Sequence, residues 1–245
     1  MTIRPKIFSH FPQLVAAQST RHGGVSPAPY HSLNLGKSTG DKPANVAENR
    51  RRFCAALDFQ PEQIAWSKQV HGHEIRHVIE PGGSEGFDAL VTNVAGLLLT
   101  VTVADCTPVL VFDARHKAVA AIHAGWRGTV SGIVHKTLAY MNDRFGTLGK
   151  DCFAYIGACI DECSYEVGEE VAKEFAESFK RFDPERGKFF VDLKKANATQ
   201  LLGFGIPEDQ IEISSYCTLL QSEDYFSHRK DGGLTGRGMG VIGLR

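Results

Sequence analysis

The chain has 245 residues, of which 42% are hydrophobic and 22% are charged, with a formal net charge of −1. These proportions are ordinary for a globular protein and exclude disordered and fibrous classes. The near-neutral charge gives no basic face for nucleic acid or an anionic membrane. No run approaches the roughly 20 apolar residues of a membrane span, and the first residues lack the apolar stretch of a signal peptide. We therefore expect one cytoplasmic domain over residues 1–245, without nucleic-acid or membrane partners.

The first half of the chain predicts a loop, a helix and several short strands. Residues 19–36 are rich in Gly, Pro, Ser and Asn, which is typical of an ordered loop. Residues 43–58 begin with a Pro and then place apolar residues at helical spacing. Residues 81–93 predict a turn and then a short strand. Apolar or β-branched runs bounded by turn residues predict further strands over residues 63–72, 97–103, 108–113 and 118–123.

The second half of the chain predicts more helices. Apolar residues form a helical stripe over 129–145 and again over 167–179, and Asp192 is suited to cap a helix over 193–205. Strands are predicted at 152–157, at 211–217 and at the C-terminal end. Hairpin-linked strands with a few helices, without regular βαβ alternation, favour an α+β fold, and the glycine motifs of dinucleotide and triphosphate sites are absent.

Three reactive side chains each close a predicted strand just before a turn: His71, Cys106 and His123. Two imidazoles and one thiolate form a ligand set for a catalytic zinc ion, which uses three protein ligands and leaves a fourth position open. The three positions are far apart in sequence, so they meet only if the fold brings them together. The alternative is that Cys106 is a small buried hydrophobe and the histidines are hydrogen-bonded core residues. Asp105 is either an orienting carboxylate or a turn residue.

Two further features concern anions and cysteines. The loops TRHGG (20–24) and HRKDGGLTGRG (228–238) combine arginines with glycines, which suits phosphate binding but also occurs in solvated turns. The six cysteines are too sparse for a disulfide scaffold. Cys159 and Cys163 lack a second pair of potential ligands, which favours structural roles for both.

Eight segments, in chain order, resemble the laccase-domain family, formerly described as multicopper polyphenol oxidases and later recognised as purine nucleoside phosphorylases with adenosine deaminase activity. Together they cover most of the chain, and the ADC and HAGWRG motifs are the most specific. The segments are TRHGGVSPAPYHSLNLG (20–36), ENRRRF (48–53), KQVHG (68–72), FDALVTN (87–93), TVADCTPVLVFD (102–113), AIHAGWRG (121–128), YIGACIDECSYEVGEEV (155–171) and FSHRKDGGLTGRGMGVIGL (226–244).

The resemblance implies roles for named residues. The family's metal ligands fall on His71, Cys106 and His123, with zinc as the typical metal and copper in the older interpretation. We take Asp105 as the candidate general acid or base. Substrate- or phosphate-binding roles are implied for Arg21 and, with weaker correspondence, for Asn34, Gln69, Arg127 and Arg229. The resemblance also implies an α/β/β/α layered architecture with the site between or beside the sheets.

The expected function is therefore a zinc-dependent purine nucleoside phosphorylase that cleaves adenosine, inosine or methylthioadenosine with phosphate and also deaminates adenosine. For the deamination, a zinc ion would lower the pKa of a bound water and so make hydroxide available to attack the purine ring. We expect a monomer or weak homo-oligomer. The alternatives are a metal-free Cys/His hydrolase with Cys106 as nucleophile, a copper-dependent polyphenol oxidase, and a non-catalytic protein with a structural metal site.

Overall fold

The structure of the protein, a computed structural model, describes all 245 residues from Met1 to Arg245. None of its helices combines the length and the apolar character that crossing a lipid bilayer requires. In chain order, the strands and α-helices are β1 (Thr2–Ile3), β2 (Leu14–Ser19), α1 (Pro43–Ala55), β3 (Ile64–Lys68), β4 (Ile75–His77), β5 (Gly82–Glu85), β6 (Ala89–Thr92), β7 (Leu98–Val103), β8 (Thr107–Asp113), β9 (Ala118–Ala124), α2 (Trp126–Val130), α3 (Ile133–Phe145), β10 (Cys152–Ile156), β11 (Glu166–Val167), α4 (Glu169–Ala172), β12 (Lys180–Asp183), β13 (Lys188–Val191), α5 (Leu193–Gly203), β14 (Ile211–Ile213) and β15 (Gly238–Leu244).

The strands form two six-stranded sheets and one small sheet. The first sheet has the order β1-β2-β15-β7-β3-β5, and the second has the order β14-β10-β8-β9-β6-β4. The small sheet is β11-β13-β12. Most pairs are antiparallel, while β3 pairs in parallel with both β5 and β7. Mixed sheets with a few helices confirm the predicted α+β class.

The two large sheets pack face to face between two helical layers. Successive residues of a strand point to opposite faces, so Leu98 of β7 packs toward α1 whereas Leu99 packs toward the second sheet. Phe53 anchors α1 on the outer face of the first sheet. Leu138 of α3 and Leu201 of α5 cover the outer face of the second sheet. This α/β/β/α order buries both faces of the central strands, which explains their nearly continuous apolar sequences.

Three predicted elements are shorter in the structure. The helix predicted over 129–145 is divided into α2 and α3 by Gly132, whose φ of 75° is left-handed. The helix predicted over 167–179 is reduced to the four residues of α4, because Val167 pairs with Phe189 in the small sheet. The strand predicted over 63–72 ends at Lys68.

Other predictions hold with adjusted ends. The helix predicted over 43–58 is α1 and ends at Ala55, and the strand predicted over 211–217 ends at Ile213. Asp192 caps α5 as predicted, since its side chain accepts a hydrogen bond of 2.8 Å from the backbone N–H of Lys195. The loop predicted over 19–36 is irregular from residue 20 onward.

Two short links carry the chain from the first sheet to the second at the same end. One joins β3 to β4 and contains His71, and the other joins β7 to β8 and contains Cys106. Strand β9 of the second sheet ends there as well, with His123 opposite Pro108 of β8. The fold therefore brings the three reactive residues to one end of the two sheets.

Candidate active site

The three reactive side chains converge. The ligand atoms of His71, Cys106 and His123 all lie within 4.8 Å of one another, and the two imidazole centroids are 4.8 Å apart. His123 is buried, Cys106 is half-buried and His71 is exposed, so the cluster has one side open to the exterior. His71 lies in a bend after β3, rather than at the end of the strand as predicted, and its φ of 59° is left-handed.

Asp88, just before β6, holds two of these three residues. It is fully buried, and its carboxylate accepts hydrogen bonds from the backbone N–H groups of Val70, His71 and Gly72 at 2.8 to 3.1 Å. It also accepts a 2.8 Å bond from Nδ1 of His123. With Nδ1 as donor, Nε2 of His123 is free to bind a metal. The same contacts fix the strained backbone of His71.

Charge coupling within the cluster shifts two pKa values. Burial alone would raise the pKa of the Cys106 thiol, but His123 and His71 outweigh it and lower that pKa to about 6. Burial disfavours the charged form of His123, yet the Cys106 thiolate and Asp88 raise its pKa to about 9. The cluster thus favours a thiolate at neutral pH, and the thiolate is the form that binds metals.

Gly125 leaves space for an ion beside the cluster. A Cβ atom at this position would lie 3.2 Å from Sγ of Cys106 and 3.2 Å from Cδ2 of His71. Only glycine therefore keeps this side of the donors clear. Imidazole and thiolate donors suit zinc and also copper, so the residues present fit a metal of either kind.

The cluster opens into a cavity of about 480 Å³. Its lining includes one carboxylate, that of Asp105, and three aromatic side chains, those of Trp66, Trp126 and Tyr165. Six cationic side chains line it as well: Lys37, Arg50, Lys68, Arg127, Arg229 and Arg237. A cavity of this size with aromatic faces and excess positive charge suits a small ligand that is itself anionic or that binds together with phosphate.

Asp105 lines the cavity next to Cys106, but both its carboxylate oxygens are engaged. Oδ1 accepts a 2.6 Å hydrogen bond from the hydroxyl of Thr218, and Oδ2 accepts a 2.7 Å bond from the backbone N–H of Arg229. Its φ of 80° is left-handed. These contacts join the β7–β8 link to the segments around residues 218 and 229.

The structure does not bring Arg21 and Asn34 to the cavity. The guanidinium of Arg21 donates to the carbonyls of His31 and Ser222, and it lies 4.8 Å from the ring centroid of Phe226. Asn34 is fully buried, and it bonds to Asp41 and to the backbone N–H of Arg237. The hydrogen bonds of both residues link the N-terminal loop to segments distant in the chain, and neither side chain faces the cavity.

Gln69, Arg127 and Arg229 do line the cavity. The Gln69 side chain donates to the carbonyl of Thr102 and accepts a hydrogen bond from the Thr102 N–H. These bonds take the place of backbone pairing between β3 and β7, so β3 ends before Gln69. The Arg127 guanidinium lies 4.3 Å from the ring centroid of Trp126. The Arg229 guanidinium donates to a backbone carbonyl and remains exposed.

Neither Cys159 nor Cys163 joins the cluster. Cys159 is buried and forms an isolated β-bridge with Cys217, whereas Cys163 is exposed. Asp88 and Arg50 were not predicted as site residues, although the segments FDALVTN and ENRRRF contain them. Their presence in those motifs was the available signal.

Comparison with known proteins places the sequence in a family. The family model described as multi-copper polyphenol oxidoreductase laccase matches residues 15–245. A Deinococcus radiodurans protein named purine nucleoside phosphorylase is 42% identical over 230 residues, covering 93% of this chain and 88% of that protein. Another of the same name from Bacteroides thetaiotaomicron is 39% identical over 237 residues, covering 89% of this chain and 87% of that protein.

A solved structure extends the likeness to the whole fold. The crystal structure of YlmD from Geobacillus stearothermophilus matches with a TM-score of 0.91 at 36% identity, covering 96% of this chain and 93% of that one. Motifs, fold and family model therefore agree, and the chain belongs to the multi-copper polyphenol oxidoreductase laccase family, with relatives that are named purine nucleoside phosphorylases.

Proposed function

We propose that this protein is a zinc-dependent purine nucleoside phosphorylase that cleaves adenosine, inosine or methylthioadenosine with phosphate, and that it also deaminates adenosine. The observation that carries the proposal is the His71–Cys106–His123 cluster opening into a cavity lined by aromatic and cationic side chains. The names of the relatives support the phosphorylase activity, and the family description leaves copper as the alternative metal.

A zinc ion held by the cluster would supply Lewis acidity and the activation of water to this cavity. The protein's own contribution is to fix the donors. Asp88 orients His123 and the His71 backbone, and Gly125 keeps the space beside Cys106 clear.

Phosphorolysis breaks the bond between C1′ of the ribose and the purine nitrogen, and a phosphate oxygen forms the new bond to C1′. The electron pair of the broken bond goes to the departing purine, and the proton that the purine gains comes from the attacking hydrogen phosphate. Tyr165 lines the cavity without a hydrogen-bond partner for its hydroxyl, and burial raises the pKa of the phenol to about 12. The phenol is therefore protonated at neutral pH, and we assign it the hydrogen bond to the purine. Asp105, which lines the cavity beside Cys106, keeps its proposed role as general acid or base, and its hydrogen bonds to Thr218 and Arg229 position it there.

The test is a chromatographic product profile from adenosine, inosine and methylthioadenosine, with and without phosphate. Formation of free base and ribose 1-phosphate only with phosphate supports phosphorolysis, and inosine from adenosine supports deamination. Cys106→Ala should abolish both products and the bound zinc, whereas Cys163→Ala, at an exposed position outside the cavity, should retain them. Full turnover by Cys106→Ala would remove the proposed site.

A metal-free Cys/His hydrolase is the second candidate, because the lowered pKa of Cys106 beside His123 is also typical of a nucleophilic thiolate. It predicts inactivation by iodoacetamide and indifference to a chelator. Zinc at about one ion per chain that protects the thiol from alkylation would eliminate it.

Copper-dependent polyphenol oxidation is favoured only by the description of the family model. The described residues offer a single cluster of His and Cys ligands. Oxygen uptake with phenols after copper loading tests this activity, and no uptake would exclude it.

The chain is further proposed to act as one cytoplasmic domain over residues 1–245, as a monomer or weak homo-oligomer. Sedimentation velocity over a range of protein concentrations tests the last point. A stable higher oligomer would contradict it.

A further inference from the structure

Three cationic side chains from separate segments line the cavity: Lys37, Arg50 and Arg237. Two of them lie against Trp66, since Nζ of Lys37 is 4.2 Å from the Trp66 ring centroid and Cζ of Arg50, on α1, is 5.9 Å from it. The side chain of Arg237, just before β15, packs on Gly36, the residue before Lys37, since a Cβ at Gly36 would lie 2.7 Å from Cγ of Arg237.

None of the three forms an ion pair with a carboxylate, although the charges of Cys106 and Asp105 act on Arg237 and partly offset the effect of burial on its pKa. Arg50 is 6% exposed; its Nε donates to the carbonyl of Leu35, while its two terminal nitrogens make no hydrogen bond or ion pair in the protein. Arg237 uses one terminal nitrogen for two backbone carbonyls. The nearest cavity carboxylate, Asp105, has both oxygens engaged elsewhere. Arg50 is the buried member of the group, whereas Arg237 is half-buried and Lys37 is exposed, and a bound anion would offset the cost of burying the Arg50 charge close to Lys37.

The titration of the group agrees with the binding of an anion. Burial lowers the pKa of Arg50 to about 10, and burial also lowers the pKa of Arg237. The pKa of Lys37 is lowered by burial and by the charge of Arg50. Each shift means that the protein alone disfavours the charged form, and a bound anion would reverse that preference.

We infer that Lys37, Arg50 and Arg237 form a subsite for a phosphate group in the cavity. Guanidinium groups bind phosphate through paired N–H donors, and an ammonium adds a point charge, so the trio matches a dianion. The binding of an anion is inferred from these charges and their place in the cavity, whereas its role as the attacking phosphate rests on the proposed function. Arg21, for which the resemblance implies a substrate or phosphate contact, does not line this cavity.

The phosphate could be free orthophosphate or part of a phosphorylated nucleoside, and titration calorimetry separates the two. The zinc-loaded full chain is titrated with inorganic phosphate, with inosine and with inosine 5′-monophosphate. Binding of inorganic phosphate identifies the free ion; tighter binding of the monophosphate than of inosine, without binding of inorganic phosphate, identifies a phosphorylated ligand. Either result supports the subsite.

The variants are Lys37→Met and Arg50→Met, with Lys136→Met on the far helix α3 as the matched control, since Lys136 is exposed and outside the cavity. Each subsite variant should weaken phosphate binding about tenfold or more, and should raise the KM for phosphate without changing the KM for the nucleoside. Because Lys37 is exposed, its variant should fold even if the Arg50 variant does not.

Phosphate and monophosphate affinities in a folded Lys37→Met variant that equal those of Lys136→Met would overturn the subsite. Failure of the wild type to bind either inorganic phosphate or inosine 5′-monophosphate would also overturn the subsite. Phosphate binding that depends on Lys37, without any nucleoside turnover, would retain the subsite and end the phosphorylase proposal. Nucleoside turnover by Lys37→Met with an unchanged KM for phosphate would retain the phosphorylase proposal and overturn the subsite.

Discussion

Asp88 supports the metal centre without being a ligand. Its buried carboxylate accepts four hydrogen bonds, three from the backbone at residues 70–72 and one from His123. An asparagine would present an N–H₂ group to at least one of these donors and so lose that bond.

We predict that Asp88→Asn lowers zinc affinity by about 10- to 100-fold. Competition with a chromophoric chelator measures the affinity, and near-wild-type circular dichroism would show that the fold is kept. Asp143→Asn is the control, because Asp143 is exposed on α3. Equal zinc affinity in wild type and Asp88→Asn would show that the carboxylate does not orient the ligands.

Gly125→Ala tests the space beside the donors. Its added methyl would lie 3.2 Å from Cys106 Sγ and crowd a bound ion, so we expect weaker zinc binding with little loss of stability. Gly203→Ala is the matched control, since a Cβ there meets nothing within 4 Å. Competition with the same chromophoric chelator measures zinc affinity in both variants. Identical zinc affinities in Gly125→Ala and Gly203→Ala would contradict the expected crowding.

The sequence predicts some site residues and not others for a physical reason. His71, Cys106 and His123 carry reactive groups next to apolar strand sequences, so their chemistry and position were both visible. Asp88 and Arg50 act through contacts with residues distant in the chain, and nothing in their local pattern distinguishes them from solvated charges. Arg21 shows the converse, because an arginine in a glycine-rich loop looks like an anion ligand even where its guanidinium binds carbonyls.

At the scale of elements, the central strands were predictable because burial on both faces requires continuous apolar residues. The helix over 167–179 was not, because its apolar stripe packs around the small sheet instead of along one helix. Long-range pairing with Phe189 outweighs local helical preference there.

Asp192 offers a test of a helix start. Asp192→Ala removes the hydrogen bond to the Lys195 N–H and should lower the free energy of unfolding by about 1 kcal/mol. Urea denaturation measures the loss. Asp192→Ser, which retains an acceptor, should recover most of it, and equal stability of the two variants would refute the cap.

Asp41 makes the stability of the N-terminal loop depend on pH. Burial opposes its ionisation, but hydrogen bonds from Ser26, Asn34 and Asn45 lower the pKa of the carboxyl below its usual 3.8. A depressed carboxyl pKa stabilises the fold above the unfolded value, and the effect is lost as the pH falls through the folded value. The stability gap between wild type and Asp41→Asn should therefore be constant near neutral pH and shrink below about pH 4. Urea denaturation at several pH values measures it, and a gap that widens in acid would contradict the assignment.

For the whole molecule, the layered core and a metal ion bound at the His71–Cys106–His123 cluster would be separate sources of stability. The core lies between the layers, whereas the ligands lie on links at one end of the sheets. Removing zinc with a chelator should lower Tm by several degrees through the loss of binding free energy, while far-ultraviolet circular dichroism at 25 °C stays unchanged. Cys106→Ala should show no chelator response in calorimetry. Global unfolding on chelation would mean that the ion holds the layers together.

The placement of His71 and Cys106 on the two inter-sheet links has a geometric consequence. An ion bound by both residues would cross-link the two links at the cavity, so metal loading would restrict the motion of the links themselves and would leave the spacing of the layers to the apolar core.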